Sequence, residues 1–132
     1  MPTVQDNQLD PQFKHDLAAR PGGGNVTLCY SCGACTAACP VAAIDPAFNP
    51  RQIIRQVLLG MREQVLGGPV LWRCIQCYAC SSVCPQNVGF RDVMRALREM
   101  AVDEGHAPAA AIARAEAARK LALRAYRDMT AA

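Results

Sequence analysis

Two stretches of this sequence share one cysteine pattern, and that pattern decides the fold. The first stretch is Cys29-Tyr-Ser-Cys32-Gly-Ala-Cys35-Thr-Ala-Ala-Cys39-Pro40, and the second is Cys74-Ile-Gln-Cys77-Tyr-Ala-Cys80-Ser-Ser-Val-Cys84-Pro85. Each cysteine and the trailing proline recur 45 positions later, as 29 to 74, 32 to 77, 35 to 80, 39 to 84 and 40 to 85. An internal repeat of this kind indicates two similar structural units in one chain.

The spacing within each run is that of a ligand set for a cubane iron–sulfur cluster. A [4Fe–4S] cluster takes four thiolates, and C-x2-C-x2-C-x3-C-P is the run of two-cluster ferredoxins, in which the fourth cysteine ligates the other cluster. Small residues inside the runs allow the backbone to approach the inorganic sulfides. The pattern therefore predicts two clusters, one on Cys29, Cys32, Cys35 and Cys84, the other on Cys74, Cys77, Cys80 and Cys39.

Other cysteine chemistries account for this spacing less well. Zinc sites usually take their thiolates as two C-x2-C pairs, and they need neither a third evenly spaced cysteine nor a trailing C-P. A thioredoxin-type C-x-x-C follows a strand in a βαβ unit, and neither run does. Disulfides are typical of secreted chains, whereas the N-terminal MPTVQDNQLDPQFKHDLAAR has no signal-peptide pattern. We therefore expect a metal-binding chain in the reducing cytoplasm.

Length, charge and hydropathy exclude several further classes. A chain of 132 residues is expected to form one domain with short extensions. Its formal net charge of +3 is too small to indicate nucleic-acid binding. No run of consecutive apolar residues is long enough to predict a transmembrane helix. Neither a glycine-rich phosphate loop nor a pair of catalytic carboxylates is evident, so no substrate site is predicted.

The residues around the two runs are predicted to be helical. Apolar residues recur at helical spacing from Pro50 to Leu66. Asn49 is the expected N-cap of this helix, and Gly67-Gly68-Pro69 its stop. A second helix is expected from about Phe90 to Glu104. Because no segment alternates convincingly as a strand, the fold class is predicted to be mainly α.

The two ends are predicted to be separate from the cluster domain. Residues 1–27 form a polar N-terminal extension, which either wraps a partner or is disordered, and Pro21-Gly22-Gly23-Gly24 within it indicates a flexible join. The cluster domain covers residues 28–105. Residues 106–132 are rich in alanine and arginine and favour a helix. The basic face of that helix either docks on an acidic partner or stays in solvent.

These features together resemble the α-helical ferredoxin fold, in which helices are inserted between two cysteine runs. Besides the runs, the resemblance rests on Asn49-Pro50-Arg51, Leu71-Trp72-Arg73-Cys74 and Arg95-Ala96-Leu97-Arg98, so that it covers about residues 28–104. That fold supplies the iron–sulfur part of succinate dehydrogenase, glycerol-3-phosphate dehydrogenase and heterodisulfide reductase. The succinate dehydrogenase branch adds a plant-type [2Fe–2S] domain, for which this sequence has no room. The sequence is therefore most similar to the iron–sulfur C subunits of heterodisulfide reductases.

The resemblance implies a function in electron transfer. It implies a non-catalytic subunit that relays electrons through two [4Fe–4S] clusters, between a flavin-bearing subunit and a subunit that handles a disulfide or sulfur compound. The complex would be a heterodisulfide reductase or a related sulfur-oxidising complex of bacteria. Two alternatives stay open: a free ferredoxin-type carrier, and the iron–sulfur subunit of another dehydrogenase complex. Soluble ferredoxins are usually acidic, so the net charge of +3 favours a bound subunit over the free carrier.

Overall fold

Helices joined by loops make up the fold, which a computed structural model describes for residues 3–131. The α-helices of that range are α1 Phe13–Ala18, α2 Ala34–Ala38, α3 Pro50–Leu58, α4 Arg62–Gly67, α5 Ala79–Val83, α6 Phe90–Asp103 and α7 Ala110–Thr130. Asp6–Gln8, Val26–Leu28 and Pro69–Arg73 form 3₁₀ helices. No strand occurs between residues 3 and 131, so the predicted mainly α fold is confirmed. Met1, Pro2 and Ala132, which belong to the predicted terminal segments, lie outside the described residues.

Helix α3 begins as the sequence predicts. The side chain of Asn49 accepts a hydrogen bond from the Gln52 N–H at 3.1 Å, which satisfies one of the free donors of the first turn. Pro50 occupies the first helical position, where its missing N–H costs nothing. The inward face of α3 carries Ile53, Ile54 and Val57, all of which are buried in the core.

The predicted single helix over residues 50–66 is wrong, because the chain breaks at Gly60. This residue has a left-handed φ of +82°, and the Met61 N–H donates to the Gln56 carbonyl at 2.9 Å, as in a Schellman C-cap. The Gly60 carbonyl accepts a hydrogen bond from the Asp10 N–H at 2.8 Å. Helix α3 therefore ends at the point where the N-terminal segment packs against it. Helix α4 follows and ends at Gly67, so the predicted glycine–proline stop lies at its end.

Helix α6 lies at the centre of the core, as its periodicity predicts. Eight of its fourteen residues are buried, among them Val93, Met94 and Leu97. It runs to Asp103, one residue short of the predicted end, and Gly105 closes it with a φ of +81°.

The N-terminal segment packs onto this core. Phe13 and Leu17 of α1 have no exposed surface. Arg62 at the start of α4 donates to three carboxylates, which are Asp10 at 2.8 Å, Asp16 at 2.7 Å and Glu104 at 2.8 Å. The disordered alternative for the extension is thus wrong for its described residues. The domain boundary at residue 28 stays a prediction.

Helix α7 leaves the core. Its first turns lie beside Trp72, which lines a shallow cleft with Ala111, Arg114 and Ala115. From Lys120 onward all of its described residues are exposed, including Tyr126. Packing within the chain therefore does not stabilise this half of the helix. Its helical conformation is favoured by the high helix propensity of its alanine residues.

Candidate iron–sulfur site

The two cysteine loops have the same backbone, as their sequences predict. Cys29 has φ and ψ of −63° and 126°, and Cys74 has −65° and 127°. A 3₁₀ helix precedes each of these residues, and a five-residue helix carries the third cysteine of each run. Helices α2 and α5 contact each other, so the two loops are neighbours.

Left-handed residues recur at the same two places in both loops. Ser31 and Gln76 have φ of 64° and 59°, and Gly33 and Tyr78 have φ of 82° and 69°. Three of these four residues are not glycine, and a left-handed residue other than glycine costs about 1–2 kcal/mol. Strain that is repeated in two loops points to a functional constraint on the backbone. The left-handed residues curl each loop, and successive cysteines of the loop therefore face the same side.

Amide groups point at several of the cysteine sulfurs. In the loops, the N–H of Ser31 lies 3.4 Å from the Cys29 Sγ, and the N–H of Gln76 lies 3.4 Å from the Cys74 Sγ. The fourth cysteines receive donors as well, since the Ala42 N–H lies 3.4 Å from the Cys39 Sγ and the Val88 N–H lies 3.5 Å from the Cys84 Sγ. Hydrogen bonds of this kind stabilise thiolates rather than neutral thiols.

The structure sorts the eight cysteines around two cavities. The first cavity, of about 400 Å³ including its open mouth, is lined by five cysteines, which are Cys29, Cys32, Cys35, Cys80 and Cys84. The second, of about 310 Å³ measured in the same way, is lined by Cys39, Cys74, Cys77 and Cys80. Each cavity therefore brings three cysteines of one run together with the fourth cysteine of the other run. Cys80 and Phe90 line both cavities, so the two sites share a wall.

The cysteines differ in their exposure. Cys32 and Cys77, the middle cysteines of the two triplets, are exposed, whereas Cys80 is 8% exposed. Burial raises the pKa of the Cys35, Cys74 and Cys80 thiols above the ordinary value. These thiols must lose their protons to bind iron, so loading the site releases protons.

The arrangement fits a cubane cluster. The cysteines surround two cavities, and several of their sulfurs have amide donors. Thiolate ligands and amide donors to sulfur are the protein contributions that [4Fe–4S] clusters require.

Two residues beside the second cavity were not predicted from the sequence to act at the site. Arg98 of α6 is 7% exposed, and its guanidinium donates to the carbonyls of Leu71 at 2.8 Å and Cys74 at 2.7 Å. The guanidinium also lies 5.3 Å from the ring centroid of Trp72. The Gln76 side-chain amide lies 3.5 Å from the Cys74 Sγ. Arg98 lies in a motif that carries the family resemblance, but a sequence motif does not show which atoms an arginine reaches.

The class of the protein follows from these loops and from comparison with known families. Residues 25–88, about half of the chain, match the 4Fe-4S dicluster domain. The chain is thus a two-cluster iron–sulfur protein, and the predicted pair of [4Fe–4S] clusters is confirmed at the level of the domain.

Among individual proteins, the chain is similar to C subunits of heterodisulfide reductases. The chain is 35% identical over 102 residues to the C subunit of the H(2):CoB-CoM heterodisulfide,ferredoxin reductase of Methanothermobacter thermautotrophicus. The aligned residues cover 77% of this chain and 54% of that protein. It is 35% identical over 110 residues to the iron-sulfur C subunit of the CoB–CoM heterodisulfide reductase of Methanopyrus kandleri, covering 78% and 57% of the two chains. It is 43% identical over 77 residues to the C subunit of the ferredoxin:CoB-CoM heterodisulfide reductase of Methanosarcina acetivorans, covering 58% and 30%.

The chain is therefore similar to the C subunits of heterodisulfide reductases, and the predicted resemblance is confirmed. It spans about half the length of the curated relatives that it matches. These relatives and the dicluster domain support an iron–sulfur subunit of the electron-transfer type. Among the described helices, none is both long and apolar enough to span a membrane.

Proposed function

We propose that this chain relays electrons between two other subunits of a heterodisulfide-reductase-like complex, through two [4Fe–4S] clusters. The observation that carries the proposal is the pair of cysteine-lined cavities that share Cys80 and Phe90, each with one exposed cysteine. Neighbouring clusters suit internal electron transfer, and the exposed Cys32 and Cys77 provide two places where a partner can approach. Two [4Fe–4S] clusters would supply one-electron redox chemistry at these sites.

The proposed ligand sets follow the cavities. One cluster would be held by Cys29, Cys32, Cys35 and Cys84, and the other by Cys39, Cys74, Cys77 and Cys80. This is the crossed arrangement of two-cluster ferredoxins. It also explains why Cys39 and Cys84 follow their short helices with an extended backbone, at φ of −75° and −71°, since that conformation turns each of them away from its own triplet.

Apolar side chains beside the exposed cysteines support docking of partners. Leu28 and Tyr30 are 51% and 59% exposed next to the first triplet, and Ile75 and Tyr78 are 44% and 49% exposed in the second. Exposed apolar groups of this size, gathered at a functional site, indicate contact with other proteins. We propose that one partner bears a flavin and that the other acts on a disulfide or sulfur compound. The cytoplasmic location and the bacterial sulfur-oxidising variant are part of this proposal.

Single cysteine variants test the crossed ligation. Under the proposal, Cys39→Ala loses the same electron paramagnetic resonance (EPR) signal as Cys77→Ala, although Cys39 follows the other triplet in sequence. Cys32→Ala provides the matched control, because it should lose the other signal. If Cys39→Ala instead loses the signal that Cys32→Ala loses, each run closes on its own cluster and the assignment is wrong.

Purification from the native host tests the role in a complex. A tagged copy should come out with a flavin-containing subunit and a second iron–sulfur or thiol-handling subunit. The isolated chain should accept electrons from a reduced dye without reducing a disulfide. A chain that migrates alone would favour the free ferredoxin-type carrier. Co-purification with a different dehydrogenase would place the same module in another complex, and catalytic disulfide reduction by the chain alone would contradict the proposal.

A further inference from the structure

The two cavities have the same backbone and different electrostatic surroundings. Helix α6 borders both cavities through Phe90, and its Arg98 reaches only the loop that leads into Cys74 at the second cavity. The first cavity has an arginine as well, but Arg51 is exposed to water, which screens its charge. The difference therefore lies in buried charge rather than in the number of arginines.

Arg98 brings a buried positive charge to one side only. Its two hydrogen bonds go to backbone carbonyls, which are neutral, and among residues 3–131 no carboxylate lies within 4 Å of it. Glu116 of α7 is the carboxylate that acts on it at longer range. The charge is thus poorly compensated, and the guanidinium lies 2.7 Å from the carbonyl oxygen of Cys74, a proposed cluster ligand. A charge acts more strongly in a buried place, where the effective dielectric constant is low.

The second loop also has an additional hydrogen bond to sulfur. Gln76 donates to the Cys74 Sγ through both its backbone N–H at 3.4 Å and its side-chain amide at 3.5 Å. The residue that matches it in the first loop is Ser31, whose backbone N–H alone donates to Cys29. Both residues have a left-handed φ near 60°, so the two sites differ in side chain rather than in backbone.

Each of these features favours the reduced state of a cluster. Adding one electron to a cluster adds one negative charge close to its thiolates. A buried cation and extra donors to sulfur stabilise that charge, and both raise the reduction potential. Arg91, which also lines the second cavity, contributes less because Asp92 lies 3.4 Å from its guanidinium.

We propose that Arg98 and Gln76 make the cluster of Cys39, Cys74, Cys77 and Cys80 the higher-potential cluster of this chain. An electron that enters beside Cys32 then moves toward the side of Cys77, with one cluster oxidised, the other reduced, and no bond formed or broken. Arg98 acts through its charge and its hold on the Cys74 carbonyl, so it is a positioning residue. This inference rests on the proposed ligand sets and adds to them the order of the two potentials.

Redox titration of the anaerobic two-cluster protein, followed by EPR, tests the order with four variants. Arg98→Gln removes the charge, and Arg98→Lys keeps it. Gln76→Ser gives the second loop the side chain of the first, and Ser31→Gln makes the reverse exchange. Arg95→Gln is the control, because Arg95 lies one turn earlier on α6 and is half-exposed. Iron content and circular dichroism establish that each variant is folded and loaded.

The inference makes a consistent set of expectations. Arg98→Gln and Gln76→Ser should lower the higher of the two wild-type potentials and leave the lower one in place, whereas Arg98→Lys should restore most of the shift. Ser31→Gln should raise the lower potential, and Arg95→Gln should move neither. The inference is overturned if Arg98→Gln and Gln76→Ser leave both potentials unchanged, shift the lower one, or shift different clusters. A wild-type chain with fewer than two clusters overturns the proposed function as well, which iron content reveals independently.

Discussion

Replacing Gly60 with alanine should destabilise this protein far more than the same replacement at Gly105. The two glycines occupy equivalent positions, with φ of +82° and +81°, and each lies just beyond a helix. In both cases the next residue, Met61 or His106, donates its N–H to the carbonyl five residues earlier, at 2.9 and 2.8 Å. The pair therefore differs in surroundings and not in backbone conformation.

The expected magnitudes follow from what an added Cβ would meet. Either alanine takes a left-handed conformation that costs about 1–2 kcal/mol. At Gly105 nothing lies within 4 Å of the Cβ position, so no further cost arises. At Gly60 the Cβ would lie 2.7 Å from the carbonyl carbon of Asp10 and 2.9 Å from its amide nitrogen. Moving this backbone adds about 1–3 kcal/mol for overpacking. The lost hydrogen bond between Asp10 and Gly60 adds about 1 kcal/mol.

Anaerobic thermal melting of the cluster-loaded protein, followed by its helical circular dichroism, measures the difference. For a domain of this size 1 kcal/mol corresponds to about 3–5 °C in Tm. The Tm should fall by roughly 3–10 °C for Gly105→Ala and by roughly 10–30 °C for Gly60→Ala. In a chain that lacks residues 1–11, the extra cost at Gly60 should disappear. Equal shifts in the full chain would refute the packing of the N-terminal segment against the turn between α3 and α4.

Three further predictions concern the clusters and the ion network. Anaerobically prepared protein should contain about eight iron and about eight acid-labile sulfide per chain; stoichiometric zinc would exclude this cofactor assignment. Removing iron with a chelator should reduce the helical circular dichroism and the Tm, because cluster binding contributes to folding. The loss should reach α3, since Thr36 of the first loop donates to the cap residue Asn49 at 2.9 Å. An unchanged melting curve would contradict this coupling between cluster and helices. Arg62→Met should cost about 1–3 kcal/mol, since it leaves three carboxylates together, and Arg62→Lys should cost less. The hydrogen bond from Arg62 lowers the pKa of Asp16 below its ordinary 3.8. The stability that this pair contributes is therefore fully present above pH 3.8 and is lost as the pH falls through the lowered pKa of Asp16.

The two similar cysteine loops could be predicted from the sequence because their signal is local. Three cysteines three residues apart determine how one loop wraps, and the 45-residue offset shows that the wrap occurs twice. The fold class could be predicted as well, since α3 and α6 carry strong helical periodicity. Even the N-cap at Asn49 could be identified, because capping depends on the few residues that follow it.

The parts that could not be predicted depend on contacts between distant segments. Gly60 is a helix C-cap signal, but periodicity on both of its sides favoured a continuous helix, and the partner that needs the break is Asp10. Phe13 and Leu17 are two apolar residues in a polar segment, too few to indicate burial by pattern alone. Arg98 has the sequence signature of an exposed helical arginine, and only the packing of α6 against the second loop shows that it is buried.

The position of Arg98 has a consequence for how firmly the second cluster site is held. Helix α6 is the most buried helix of the described chain, and Val93 and Leu97 on it have no exposed surface. Because Arg98 extends from this rigid element, its guanidinium cannot follow a movement of the loop without losing its bonds to Leu71 and Cys74. The first loop is tied to α3 through Thr36 and Asn49, whose side chains are uncharged. A side chain that is held by the core keeps its charge at a fixed distance from the thiolate, and a fixed distance is what lets a single cation set a reduction potential reproducibly.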